Sequence, residues 1–160
     1  MRTLIAGSAM TSALFIAFLT SAQAQVSTSV SVSGDVKTPT VFTLPGLQAL
    51  PQTTQTDTYT SNGNPVTATY TGPTLWNVIQ ASGEIATNPA VKNDSLNKYV
   101  IATGADGYKS IVSVGEISPN FGNKSDLVAI QGPAGQLPGT DSLARVTTPG
   151  DKAGGRYVAT

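Results

Sequence analysis

Arg145, Lys152 and Arg156 place three cations around the glycine-rich stretch Pro149-Gly150-Asp151-Lys152-Ala153-Gly154-Gly155. A guanidinium donates in a fork that matches a carboxylate, sulfate or phosphate, and a loop of glycines can add backbone N–H groups, so this spacing suits a small-anion cradle. Asp151 sits among the three cations, and the plainer alternative is that it pairs with one of them in a structural loop. A second candidate is Asp106-Gly107-Tyr108, which offers a carboxylate and a phenol to a cleft, or else forms a plain turn from which Tyr108 starts a strand. The acids Glu84, Asp94, Glu116 and Asp126 are scattered without calcium-loop spacing and read as solvated faces. The chain has 160 residues and neither His nor Cys. Chemistry that needs imidazole or a thiolate is therefore excluded: Cys- or His-based zinc sites, Ser-His-Asp and Cys nucleophiles, His-ligated haem, iron–sulfur clusters and disulfides. Nine basic side chains balance nine acidic ones, and no nucleic-acid footprint is present.

The first 24 residues read as a secretory signal peptide rather than as part of the fold. Met1-Arg2-Thr3 is a short basic start, Leu4 to Leu19 carries no charge, and Ser21-Ala22-Gln23-Ala24 provides small residues for cleavage. A membrane anchor is the alternative, disfavoured because the run is short for a span and ends in an Ala-x-Ala site. Cleavage leaves residues 25–160 as one domain with eight basic and nine acidic side chains, a net charge of −1. The expected location is periplasmic or secreted, with no stable membrane insertion after cleavage. Arg2 is the leader's sole basic residue, so no twin-arginine pair exists, and the expected route carries unfolded chains. A cofactor inserted in the cytoplasm could not travel that way.

The elements that must position these residues are short. Val26, Val30 and Val32 alternate with serines, as in a half-buried strand ending at Gly34-Asp35. Thr43 followed by Leu44, Leu47 and Leu50 predicts a capped helical turn closed by Pro51. Gln52 to Thr60 and Val66 to Thr71 predict two strands joined around Asn62-Gly63, a hairpin signal. Leu75, Trp76, Val78 and Ile79 predict a helix stopped by Gly83, with Trp76 as a core anchor. Tyr99 to Thr103, Tyr108 to Val114, Leu127 to Ile130 and Leu143 to Thr147 complete seven strands. The expected core is Val30, Val32, Leu47, Trp76, Val78, Ile79, Val100, Ile111, Val112, Val128 and Ile130. Seven strands and two short helices predict an α+β domain with a mixed sheet.

In order, the segments Ser33-Gly34-Asp35-Val36 to Pro39, Thr43-Leu44 to Leu47 with Ala49-Leu50-Pro51, Tyr70-Thr71-Gly72 with Leu75-Trp76, Ala102 to Tyr108, and Ala144-Arg145-Val146 to Pro149-Gly150 resemble the molybdopterin-binding domain of the sulfite oxidase family, closest to its short exported members. The likeness covers nearly the whole chain after the leader and implies that domain's α+β fold. Family enzymes hold molybdenum through a cysteine thiolate, a ligand this chain lacks. Arg145, Val146, Pro149 and Gly150 match part of a late family motif, but the aromatic sequence that follows it is replaced by Asp151 to Tyr157. The resemblance therefore implies an exported binding or accessory protein with no cofactor, whose partner is a small anion or another envelope protein. The alternative is a molybdopterin-dependent oxidoreductase with non-cysteine ligation, and a purely structural envelope role is a third reading.

Overall fold

The computed structural model describes residues 27–137 and 142–159. Residues 1–24, which the sequence suggests are a leader, lie outside the described residues. The strands are β1 (Val30–Val32), β2 (Thr40–Phe42), β3 (Gln52–Ser61), β4 (Asn64–Pro73), β5 (Tyr99–Thr103), β6 (Lys109–Ser113), β7 (Leu127–Ala129), β8 (Gln131–Gly132), β9 (Gly135–Gln136), β10 (Arg145–Thr147) and β11 (Val158–Ala159). The helices are α1 (Leu44–Gln48), α2 (Leu75–Ala81) and α3 (Val114–Ile117), with 3-10 turns at Asp94–Asn97 and Gly154–Arg156.

The α+β expectation with a mixed sheet is not met: the protein is mainly β, with 40% strand and 18% helix among the described residues. Its strands form four small sheets, β1-β2, β11-β10-β7, β3-β4-β8-β9 and β5-β6, and every pairing between them is antiparallel. The physical reason lies in the connections. β3-β4, β5-β6 and β8-β9 are each joined by a tight turn that permits only antiparallel pairing, and helices of four to seven residues are too short to serve as crossovers or to form a layer of their own.

The long β3-β4 hairpin turns at Asn62 and Gly63, whose φ angles of 49° and 78° are the left-handed ones this turn requires. Its outer face is a threonine ladder. Thr54, Thr56 and Thr58 stand opposite Thr71, Thr69 and Thr67, with Oγ1 atoms 2.8, 2.9 and 3.2 Å apart, and such cross-strand pairs fix the register. The inner face carries Asp57, Tyr59, Ala68 and Tyr70 onto Leu127 and Ala129. β7 is buried on both sides, because its alternate residue Val128 points into the main core with Phe42, Leu47, Leu75, Val78, Ile79, Val112 and Ile130. Gly72 allows β4 to lie this close, since a Cβ there would run into the backbone of Val128 and Ala129.

α2 begins at Thr74, whose Oγ1 accepts from Asn77 N–H at 3.1 Å, and ends before Gly83 at φ 75°. Trp76 packs partly buried against the main core. One core residue is misplaced by the sequence reading: Ile111 is 59% exposed. Val112 takes the core side of β6, and the period of two turns its neighbour outward.

Candidate functional site

Arg156 leaves its 3-10 turn toward α3 and the loop behind it. Its Nε and Nη2 donate to Asp151 Oδ2 and Oδ1 at 2.7 and 2.6 Å. Nη1 and Nη2 also donate to Glu116 Oε2 and Oε1, both at 3.2 Å. Glu116 is brought here by α3, which Ser113 caps through Gly115 N–H at 3.2 Å. The chain then closes on itself: Gly122 N–H donates to Gly115 O at 2.9 Å and Lys124 N–H to Glu116 O at 3.0 Å. Gly122 fits because a Cβ would strike the Glu116 backbone. Lys124 Nζ consequently meets Glu116 Oε1 at 2.7 Å, Asp126 Oδ1 at 3.5 Å and Asp151 Oδ1 at 3.6 Å. Thr148 adds a hydroxyl to Asp151 Oδ2 at 3.0 Å.

The cluster thus sets three carboxylates against two cations. The Arg156 hydrogen bonds hold the Asp151 carboxyl down at about 2 and, with Lys124, keep Glu116 below the usual carboxylate range. Asp126 behaves oppositely. It is fully buried, neither carboxylate oxygen has a hydrogen-bond partner among the described residues, and burial pushes it up to about 6 against the pull of Lys124.

These positions revise two readings of the sequence. Glu116 and Asp126 are not solvated faces but parts of a packed ionic cluster, assembled from segments 40 residues apart. Glu84 does sit at the surface, paired with Lys37 at 2.9 Å, and Asp94 pairs with Lys98 at 3.4 Å. The three cations of the proposed anion site are not brought together by any shared partner. Arg156 commits every nitrogen of its fork to carboxylates, so an incoming anion would have to displace one. Lys152 is exposed, and its carbonyl accepts from Thr60 N–H at 2.9 Å. Arg145 belongs to β10 and acts on the opposite layer, where its charge lowers the Tyr59 pKa against burial and Tyr70, which together raise it to about 12.

That layer is polar but closed. Tyr157, the neighbour of Arg156, stacks on Tyr59 with ring centroids 4.3 Å apart and donates to Asp57 Oδ2 at 2.9 Å. Tyr59 and Tyr70 share a hydrogen bond of 3.0 Å. Asp57 Oδ1 and Arg145 Nε are buried without a partner among the described residues.

Asp106 and Tyr108 act locally. Asp106 Oδ1 accepts from Tyr108 N–H at 2.9 Å, and Tyr108 OH donates to Gly155 O at 2.5 Å, latching the β5-β6 hairpin to the 154–156 turn.

The sequence did not point to the clefts beside β1 and β5. One, of about 510 Å³, is lined by Val32, Val36, Ile79, Ile85, Val100 and Val114, with Asp35 and Lys98 at its rim. The other, of about 360 Å³, lies between Ser27, Ser29 and Ser31 on one side and Ile101, Ala102 and Thr103 on the other, over Leu75, Val78, Val128 and Val146. The alternating serines and valines of β1 were the available signal. No protein-family model matches the chain, and no curated protein does. Among the described residues, no helix is long and apolar enough to cross a membrane.

Proposed function

We propose that the mature chain is an exported binding or accessory module that works without a cofactor. The clefts flanked by β1 and β5 carry this reading: they are concave and lie over the core, with an apolar floor that includes Val78, Ile79 and Val128 and polar groups such as Ser29, Ser31, Asp35 and Lys98 in their lining. The sequence motifs shared with molybdopterin-binding domains enter as ancestry, with the means of holding the metal lost. The donor set does not fit a pterin-held molybdenum. There is no thiolate, the guanidinium best placed to grip a phosphate is tied to Asp151 and Glu116, and Arg145 serves another layer. The ionic cluster holds the 148–156 loop against α3 and so has a structural task.

The test pairs two measurements on exported, processed protein. Elemental analysis should find no stoichiometric molybdenum. A neutral apolar dye such as 1-aminoanthracene should brighten on binding, and Ile101→Arg, at an exposed position lining both clefts, should abolish the change without unfolding the protein. One molybdenum per chain, or dye binding indifferent to Ile101→Arg, would contradict the proposal.

A further inference from the structure

The two clefts share Val100 and Ile101 and border consecutive stretches of the 27–36 segment, so they form one groove between β1 and β5. The edge of β5 that faces this groove is unpaired among the described residues. Gly104 N–H donates to Tyr108 O at 2.8 Å and Val114 N–H to Lys98 O at 3.1 Å, which fixes the parity of the hairpin. Val100 and Ala102 face β6, while Tyr99, Ile101 and Thr103 turn both N–H and C=O away from it. The next residue of that parity, Ala105, donates to Ala159 O at 3.2 Å. Ile101 and Thr103 N–H find no partner among the described residues. On the other side, β1 pairs with β2 and with no other strand described.

We infer that this groove receives an extended peptide segment of another protein as an added strand, joining β1-β2 to β5-β6. The inference rests on the binding reading above and names its ligand class. Donors on Ile101 and Thr103 repeat every two residues, about 7 Å, the repeat of an extended chain. The floor of Leu75, Val78, Val128 and Val146 takes the peptide's alternate side chains and requires them to be apolar. Charge sets one end. Lys98 Nζ lies between Asp35 at 2.7 Å and Asp94 at 3.4 Å, and the Asp35 side chain is 75% exposed. Two carboxylates against one cation select a Lys or Arg in the peptide there, whereas the serine-lined end carries no charge.

The probes are blocked heptapeptides of alternating valine and threonine with lysine at one end or the other, and the same peptides N-methylated at alternate amides. One lysine placement should bind, slowing hydrogen exchange at Ile101 and Thr103. N-methylation of the edge facing β5 should weaken binding at least tenfold, and Asp35→Asn should weaken the lysine peptide several-fold. Ile101→Pro removes an unpaired donor from an edge strand and should mimic N-methylation, while Ile101→Thr keeps the donor and should bind. If 1-aminoanthracene fills the groove and no peptide binds, the peptide class is wrong and the binding reading stands. Binding by neither probe overturns both. Protection of Ile101 and Thr103 that grows with protein concentration alone means a second copy closes the groove, which also overturns the inference.

Discussion

Replacing Arg156 with Gln is expected to destabilise the fold by about 3 kcal/mol, the lower end of the cost of breaking a buried ion pair, because the partners are partly exposed. The loss leaves Glu116, Asp126 and Asp151 facing Lys124 alone, three carboxylates for one cation. It also removes the hydrogen bonds that hold Asp151 at about 2, so the Asp151 carboxyl should move back up. Lys152→Gln is the control, at an exposed side chain, and should change stability by no more than ~0.5 kcal/mol. Urea denaturation of the three proteins decides the matter. Arg156→Gln as stable as the parent would mean that the cluster holds nothing. The sequence left two readings open, an anion cradle at Arg145, Lys152 and Arg156 or a structural loop in which Asp151 pairs with one of these cations.

A pH-dependent loss of similar size is expected from Asp126. Its carboxyl is raised in the folded state to about 6 from an ordinary 3.8, so the folded protein binds this proton more tightly than the unfolded chain does. The contribution is full below about pH 4 and is lost as pH rises through 6, amounting to about 3 kcal/mol by pH 8. Glu116 and Asp151 are shifted the other way, so their contribution is present at neutral pH and falls away in acid. Together these shifts put maximum stability near pH 4. Asp126→Asn should flatten the profile between pH 4 and 7 and exceed the parent in stability at pH 8. Parallel profiles for parent and variant would assign the titration to another group.

Local signals were legible where a few neighbouring residues decide the structure. Asn62-Gly63 specified the β3-β4 turn, and Thr74 with Gly83 bounded α2. The fold class was not legible, because the sequence suggested seven strands where eleven form among the described residues, and it could not show that they pair antiparallel in several small sheets. The ionic cluster was hidden for a similar reason. Glu116, Lys124, Asp126, Asp151 and Arg156 have no common spacing, and only the folding of the 116–124 loop onto itself and of the 154–156 turn onto α3 unites them. One clue was present: Asp126 immediately precedes the fully buried Leu127-Val128-Ala129, a place where a solvated carboxylate is unexpected. The groove could not be read at all. It exists because β1 and β5 leave each other unpaired, and no residue type announces a missing pairing.

That missing pairing is what the binding account depends on, and amide hydrogen exchange in the free protein measures it residue by residue. Val100 and Ala102, which face β6, should exchange slowly, whereas Ile101 and Thr103 should exchange at close to the rate of an unprotected chain. Protection of Ile101 and Thr103 equal to that of Val100 and Ala102, in dilute protein without ligand, would show that the edge is already occupied and contradict the account.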